Sequence, residues 1–256
     1  MINNRKASMA LAGLMIVVPV LSVWAQDSAE DNSETPPGWI VGLAYIAAPD
    51  PYVGSVDDAS TVVPLIGYIG ERLTWIGPSL QYTLLDVSAL QLGIEASYRF
   101  EGFDDDNMLN RELERRSGSL DIGLTADYGP FSLEVATDAS DTHNGAEATF
   151  GASLDYAFSD RLSLSPALSV TYKNANLANY YYGVSQREAT TARPAYTPGS
   201  AVNVTAGVEL NYAFSPRVLI TLGVDVEQLD RTLRDSPLIN SNRQVSAFAG
   251  VLVDLF

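Results

Sequence analysis

Residues 201–214 read AVNVTAGVELNYAF, and residues 217–229, after the turn Ser215-Pro216, read RVLITLGVDVEQL. In both stretches apolar side chains alternate with polar ones at a period of two residues. This period is typical of a β-strand with one face against an apolar medium and the other against water. Alternation alone fits a soluble β-sandwich as well as a membrane barrel, so other features of the chain must distinguish the two.

The same alternation along the whole chain predicts about twelve strands, with ten as the alternative count. Bacterial single-chain barrels have even numbers of strands, and splitting residues 72–85 at the turn dipeptide Gly77-Pro78 keeps the number even. The fold class predicted is all-β, a transmembrane antiparallel up-and-down β-barrel. Its strands are residues 39–46, 62–69, 72–76, 79–85, 90–101, 117–128, 131–139, 146–158, 161–172, 201–214, 217–229 and 243–256.

The connections between these strands fall into two alternating sets. The tight set consists of Gly70-Glu71, Asp86 to Ala89, Gly129-Pro130, Ser159-Asp160 and Ser215-Pro216. The other set contains Gly77-Pro78, Ser140 to Gly145, and long loops at residues 48–60, 102–116, 173–200 and 230–242. Short periplasmic turns and longer extracellular loops are the arrangement of outer-membrane barrels. A soluble sandwich has no reason to sort its loops in this way.

Aromatic residues flank the tight turns on the apolar register of the strands. Amphipathic rings at that level are typical of the headgroup zone of a membrane. We therefore predict a periplasmic aromatic girdle; the alternative is a set of aromatic caps on a sandwich core. The girdle consists of Tyr128, Phe131, Tyr156, Phe158, Tyr212 and Phe214.

The N-terminus has the three parts of a secretory signal peptide. Arg5 and Lys6 precede an apolar run, which ends at the small-residue cleavage site Val23-Trp24-Ala25. We therefore expect export to the outer membrane of a Gram-negative bacterium. The predicted division is a signal peptide at residues 1–25, an acidic disordered tail at residues 26–38, and an outer-membrane β-barrel at residues 39–256.

Two positions disturb the strand pattern. The last strand ends in Phe256, the terminal aromatic residue expected as an assembly signal of such barrels, but its apolar register leaves Phe256 in phase with Asp254. We expect either a bulge at Gly250 or a position of Phe256 beyond the lipid-facing band. Pro166 lacks the N–H that a strand inside a closed barrel donates, so we expect a bulge there as well.

Composition excludes several classes of function. The chain carries 31 acidic against 15 basic residues, a net charge of −16, which argues against nucleic acid as a partner. It has no cysteine, and its one histidine, His143, stands in a short polar segment where we expect it to be solvent-exposed. The cluster Asp104-Asp105-Asp106-Asn107 lacks the spacing of an EF-hand, so we expect a solvated acidic loop. We predict no enzyme, no metal site and no cofactor.

The water-facing register carries many carboxylates. Solvation and cross-strand pairing in a polar lumen explain them, and a cation-preferring pore lined by acids is the sharper alternative. These predicted lumen acids are Glu95, Asp121, Glu134, Asp155, Glu209, Asp225 and Glu227.

The longest loop carries a tyrosine-rich signature, whose residues are Tyr180, Tyr181, Tyr182, Gly183, Val184, Ser185, Glu188, Arg193, Ala195, Tyr196 and Pro198. This signature resembles that of the MipA/OmpV family of outer-membrane proteins. Shorter matches follow the first strand, continue through the second strand, and precede the last one, so that the resemblance spans nearly all of the chain after residue 39. They are Pro49, Tyr52, Gly54-Ser55, Val63 to Ile66, Tyr68, Gly70-Glu71 and Asp235 to Leu238.

The resemblance implies a barrel that scaffolds a murein lytic transglycosylase and a murein synthase, as the namesake member of the family does. Other members are described as adhesins or as influencing permeability, so a surface adhesin or receptor and a small pore are the alternatives. Outer-membrane lipid and lipopolysaccharide are the expected surroundings. The tyrosine loop is either a lid packed into the lumen or a receptor-binding tip, and we favour the lid because apolar surface is rarely left exposed without function.

Overall fold

The chain folds into one closed β-barrel. The computed structural model describes residues 37–49, 51–53, 60–103 and 113–255. Thirteen strand segments form a single antiparallel sheet, in which β13 pairs with β1 and closes the ring. The segments are β1 (Gly38–Ala47), β2 (Ser60–Ile69), β3 (Leu73–Ile76), β4 (Ser79–Val87), β5 (Leu90–Arg99), β6 (Ser119–Tyr128), β7 (Phe131–Asp138), β8 (Ala146–Ser153), β9 (Tyr156–Ser159), β10 (Leu162–Lys173), β11 (Ala201–Ser215), β12 (Val218–Gln228) and β13 (Arg243–Asp254).

The thirteen segments make twelve barrel strands. β8 and β9 are consecutive parts of one strand, because both pair with β10 and only Leu154 and Asp155 separate them. Each strand is hydrogen-bonded to its neighbours in chain order, and β10 pairs with β11 to complete the circuit. The predicted all-β antiparallel barrel of about twelve strands is confirmed.

The strand boundaries lie within two residues of the predicted ones, and three of the differences are as follows. β1 begins at Gly38, which the prediction places in the tail. β4 continues to Val87, so the predicted tight turn from Asp86 to Ala89 is wrong in extent and consists of Ser88 and Ala89. β5 ends at Arg99, two residues earlier than predicted.

The two faces of the barrel wall separate apolar from polar side chains. On β11 the outward residues Val202, Val204 and Val208 are exposed, whereas the inward Asn203 and Asn211 are almost completely buried. An exposed apolar outer face and a polar inner face are what a lipid-embedded barrel requires. We call the ends of the barrel the long-loop end, which contains the loops after β1, β5, β10 and β12, and the short-turn end.

The irregularity expected at Pro166 is present on the neighbouring strand. The gap between β8 and β9 lies beside Pro166, whose C=O accepts a hydrogen bond from the Leu154 N–H at 3.1 Å. The strand opposite a proline loses a donor, and the break at Leu154 and Asp155 absorbs that loss. The alternative of a bulge at Gly250 is wrong, because β13 keeps an unbroken register through this residue with both β1 and β12.

Tight turns at both ends depend on glycine. Gly77 and Gly129 have φ angles of +54° and +56°, in the left-handed region where other residues are strained.

Some of the predicted features lie outside the described residues. They are the leader, the tail apart from Pro37 and Gly38, the acidic cluster at residues 104–107, and Phe256. Within the described part, no helix has the length and apolar character needed to cross a membrane.

Candidate functional site

The loops of the long-loop end fold inward and pack over the barrel mouth. Their largest element is the helix α1 (Ala175–Tyr182), which the sequence pattern does not predict. It begins because Oδ1 of Asn174 accepts a hydrogen bond from the Leu177 N–H at 3.0 Å, the role of an N-cap residue. A short second helix, α2 (Arg231–Arg234), packs against α1. The buried side chains of this contact are Leu177, Ala178, Tyr181, Tyr182, Ala201 and Leu233.

The three consecutive tyrosines of α1 bind the segments that follow β5 and precede β6. The Tyr180 hydroxyl accepts a hydrogen bond from the Ser117 N–H at 3.0 Å, and the Tyr181 hydroxyl donates to the Ser117 C=O at 3.1 Å. The Tyr182 hydroxyl donates to the Glu101 carboxylate at 2.8 Å. Burial and the nearby Glu101 carboxylate raise the pKa of Tyr182, so its phenol remains a neutral donor.

A second apolar cluster joins three loops and the segment that follows α1. Its buried members are Tyr52, Phe103, Leu113, Val184 and Leu238. Backbone hydrogen bonds reinforce it: the Val53 N–H donates to the Leu238 C=O at 2.7 Å, and the Asn240 N–H to the Pro51 C=O at 3.1 Å. We call the interlocked assembly the lid. It comprises residues 51–53, 101–103, 113–118, 174–200 and 229–242.

Glu188, a residue of the tyrosine-loop signature, is the polar centre of the lid. Its carboxylate, 3 % exposed, accepts hydrogen bonds from the Ser185 N–H at 2.8 Å, the Glu114 N–H at 2.9 Å and the Arg116 guanidinium at 2.8 Å. Burial raises the pKa of Glu188, but these donors outweigh it and hold the pKa below its ordinary value. The Arg116 guanidinium also lies 5.7 Å from the Phe103 ring centre, within the range of a cation–π contact.

The remaining signature residues also lie within the lid. The Arg193 guanidinium donates to the Glu188 C=O at 3.0 Å, and the Tyr196 hydroxyl donates to the Thr232 C=O at 2.7 Å. Val184 and Tyr196 form a β-bridge, while Gly183 and Pro198 are buried. The placement is that of a packed lid.

A network of paired charges lies directly beneath the lid. Arg99 contacts Asp121 at 2.8 Å, Glu147 at 3.2 Å and Glu101 at 3.3 Å. Lys173 contacts Glu147 at 2.5 Å and Glu101 at 3.8 Å. The partners come from four strands and one loop, so the network ties the outer part of the barrel wall to the loop that Tyr182 binds. The sequence does not indicate which charged side chains on different strands meet in such ion pairs.

The expectation of an exposed His143 is wrong, because this side chain is buried in the same network. Its Nε2 lies 3.1 Å from the Ser119 hydroxyl and 3.4 Å from Asp121. Ser119 and His143 resemble a nucleophile with its general base. However, Nδ1 of His143 accepts a hydrogen bond from the Gly145 N–H at 2.9 Å. The proton of a neutral ring therefore lies on Nε2, the nitrogen that faces Ser119. Ser119 donates to Asp121 at 2.8 Å. His143 therefore cannot take the serine proton, and the geometry is inert for acyl transfer.

Asp121, Asp138 and His143 are close enough together to suggest a metal site. However, the Asp138 carboxylate already accepts hydrogen bonds from the N–H groups of Ser140, His143 and Asn144, at 2.6 to 2.9 Å. With Nδ1 of His143 occupied as well, the ligand atoms are engaged in shaping the loop between β7 and β8. The three residues are better suited to supporting that loop than to holding a cation.

The middle of the lumen differs from the network above it. Among the described ion pairs, none involves the inward carboxylates of this zone, which are Glu95, Glu134, Asp155, Glu209 and Asp225. Hydroxyl and amide groups contact some of them: Ser79 donates to Glu95 at 2.6 Å, and the Asn211 amide donates to Glu209 at 2.6 Å. Ser165 donates to Asp155 at 2.5 Å.

Two of the predicted lumen acids lie higher than this zone. Asp121 belongs to the Arg99 network, and Glu227 accepts a hydrogen bond from the Asn203 amide at 2.7 Å. The acids predicted from one strand register thus divide into an upper paired group and a middle group. Sequence alternation shows which face a carboxylate occupies but not which cation reaches it.

The aromatic residues predicted as a girdle are all exposed on the outer face beside the short turns, at 39 % (Tyr212) to 65 % (Phe158). The structure adds Trp39, Tyr68 and Trp75 at the same end. Trp39 lies 5.5 Å from Tyr68 and 6.0 Å from Trp75, ring centre to ring centre. Their position beside the Gly70-Glu71 turn was the available sequence signal.

Comparison with known proteins relates the whole barrel to one family. Residues 41–252 match the family model of MltA-interacting protein MipA. The chain is 27% identical to YiaT of Escherichia coli (strain K12), over 82% of its own length and 87% of that protein. It is 26% identical to outer membrane protein OmpV of Vibrio cholerae serotype O1 (70% and 72%) and 24% identical to MltA-interacting protein of Escherichia coli (strain K12) (70% and 75%).

The matched region runs from β1 to β13 and therefore includes the complete barrel, the lid and the lumen. The names of relatives that are outer membrane proteins agree with the exposed apolar side chains on the outer face of this barrel. The chain belongs to the MltA-interacting protein MipA family and is a β-barrel of the outer membrane.

Proposed function

We propose that this barrel is a non-enzymatic scaffold that holds murein-remodelling enzymes at the outer membrane. Membership of a family named for interaction with MltA carries the proposal. A murein lytic transglycosylase and a murein synthase are the partners that the family suggests. The inert arrangement around His143 supports a role without catalysis.

The geometry indicates which end of the barrel would bind such partners. In the outer-membrane arrangement the long loops face outward and the short turns face the periplasm, where murein lies. The turns expose charged side chains that a partner can contact, namely Glu71, Arg72, Asp160, Arg161 and Arg217. Because each turn is short, we expect a partner to bind several of them together.

Site-specific photo-crosslinking in intact cells tests the proposal. A benzophenone amino acid at Glu71 or Asp160 should capture murein hydrolases or synthases, identified by mass spectrometry. The matched control places the same probe at Gln186 or Arg187, exposed lid residues at the other end. Capture of murein enzymes from the lid positions, or of none from the turns, would contradict the scaffold.

A second candidate function is a cation-preferring pore, and the middle zone of the lumen favours it. Carboxylates line this zone, and none of the described ion pairs neutralises them. The lid opposes steady conduction, because four loops pack across the mouth above these acids. A pore would therefore need the lid to move. The packed tyrosine loop also disfavours the adhesin or receptor alternative, which requires an exposed tip.

A further inference from the structure

Three neighbouring side chains on the inner wall of β10, β11 and β12 have oxygen atoms without a hydrogen-bond partner. Asn211 pairs with Ser163 on one side and with Thr221 on the other, and the three are 0 %, 6 % and 3 % exposed. Within the described part of the chain, Ser163 Oγ, Asn211 Oδ1 and Thr221 Oγ1 contact no polar partner and are shielded from water. We call these three side chains the oxygen row. Buried polar atoms are rarely left unpaired, so a row of three indicates a binding site.

A buried carboxylate lies directly beside the oxygen row. Glu209 is the next inward residue of β11 after Asn211 and is 6 % exposed. Its carboxylate accepts a hydrogen bond from the Asn211 amide at 2.6 Å. Because this hydrogen bond uses the amide nitrogen, the amide oxygen remains available as an acceptor only. Glu209 and the oxygen row therefore form one group of oxygen atoms on the inner wall.

The charge around Glu209 is negative. The charges that act on its carboxylate are those of Asp155 and Asp225. Asp155 accepts a hydrogen bond at 2.5 Å from Ser165, the neighbour of Glu209 on β10. The Asp225 carboxylate lies over Gly207, the inward residue of β11 that follows Glu209 toward the long-loop end. A buried carboxylate is costly without a positive partner, so this group favours a cation.

The surroundings favour calcium among the cations that oxygen atoms bind. The Phe248 ring covers Gly223, the neighbour of Glu209 on β12, and Leu219, with no exposed surface, lies between Thr221 and the short turn. Calcium accepts six to eight carboxylate, amide and other oxygens at about 2.3–2.6 Å, whereas magnesium usually keeps several waters. Opposite side chains on neighbouring strands have Cβ atoms about 4.5–5.5 Å apart, close to the spacing of oxygens across a calcium ion.

We propose that Glu209 and Asn211 bind a calcium ion inside the barrel, with the two hydroxyls of the oxygen row as further ligands, directly or through a bound water. The arrangement differs from that of Asp121, Asp138 and His143, whose ligand atoms are engaged in hydrogen bonds. In the described part of the chain, only that trio brings three acidic or histidine groups within 4.8 Å of one another. The site at Glu209 therefore depends on neutral oxygens for part of its coordination. The proposal is independent of the scaffold role.

Calorimetric titration of the purified barrel in detergent, freed of metal with EDTA, tests the site. Calcium chloride should bind with one ion per barrel, and magnesium chloride should bind severalfold more weakly. Glu209→Gln should abolish calcium binding. Glu95→Gln, which removes the same charge from a strand across the lumen, should retain it. A wild-type barrel that binds no calcium, or equal calcium affinity in Glu209→Gln and the wild type, would overturn the proposal.

Thr221→Val tests the oxygen row with a side chain of nearly the same shape. Without metal, this variant should be at least as stable as the wild type, because it removes a buried hydroxyl that has no partner. Calcium should raise the temperature at which the wild-type barrel unfolds, since it binds only the folded state. The rise should be smaller in Thr221→Val, as measured by heat modifiability on gels. An equal rise in both proteins would show that the row does not bind the ion and would overturn the proposed site.

Discussion

The two ends of the barrel use the same strands but different chemistry. At the long-loop end, buried tyrosines, apolar clusters and the Glu188–Arg116 pair join loops that are far apart in sequence. At the short-turn end, the connections are too short to pack on one another, and aromatic rings face lipid instead. We therefore expect the strands and turns to be sufficient for the barrel to close. The lid packs as a separate unit, so the barrel should remain folded when the lid is removed.

Among the substitutions that test the difference between lid and barrel, Tyr181→Ala should have the largest effect. Tyr181 has no exposed surface and donates a hydrogen bond to Ser117. Truncating a buried aromatic residue typically costs about 3 to 5 kcal/mol, and here the cost should fall on the lid. Hydrogen exchange over residues 174–200 should accelerate strongly, with Gln186→Ala, an exposed lid residue, as the unaffected control. Equal acceleration in the strands would mean that lid and barrel unfold together.

The next effect concerns the barrel wall rather than the lid. Leu124 is 63 % exposed on the outer face near the middle of β6, and Thr125 is its inward neighbour. Leu124→Arg should cost about 2 to 4 kcal/mol if it lies near mid-bilayer. Thr125→Arg places the same charge opposite Glu134 and should cost less. Equilibrium unfolding in detergent or lipid measures both, and a greater loss for Thr125→Arg would reverse the assigned faces.

A smaller effect is expected from a change of pH, which should alter the stability of the lid alone. Because the pKa of Glu188 is lowered in the folded protein, its ionised form stabilises the lid above the ordinary carboxyl pKa of about 4.3. This contribution is lost as the pH falls through the lower folded value. Glu188→Gln should weaken the lid by about 1.5 to 3 kcal/mol at neutral pH, the range for hydrogen bonds to charged groups.

Label mobility at Gln186→Cys reports this titration by electron paramagnetic resonance. In the wild-type background the label should become more mobile at acid pH, whereas with Glu188→Gln it should be mobile at neutral pH and change little on acidification. A wild-type lid that loosens only as pH rises would contradict the assigned role of Glu188.

The barrel could be predicted from sequence because membrane and water impose a period of two on each strand. The alternation in residues 201–229 indicates directly which side chains of β11 and β12 face inward and which face outward, and Gly77-Pro78 marks the short hairpin. The turn residues and the positions of the aromatic residues then distinguish the short-turn end from the long-loop end. These signals are local, and each can be read within one strand or turn.

The lid and the charge network could not be predicted in the same way. α1 lacks a clear helical period, and its N-cap residue, Asn174, was the one local signal. Arg99 meets Glu147 across 48 residues, and Arg116 meets Glu188 across 72. His143 looked like an exposed loop residue because nothing near it in sequence shows that α1 covers it. Such contacts depend on how loops from different strands meet above the barrel.

Conductance in planar bilayers tests most directly the claim that the lid closes the outer mouth. We predict that the wild-type barrel shows no steady conductance. Replacing residues 174–199 by a short glycine-serine linker should produce a steady, cation-selective current through the acid-lined middle zone. Steady wild-type conductance equal to that of the lid-deleted variant would contradict the account, because it would show that the packed loops leave the lumen open.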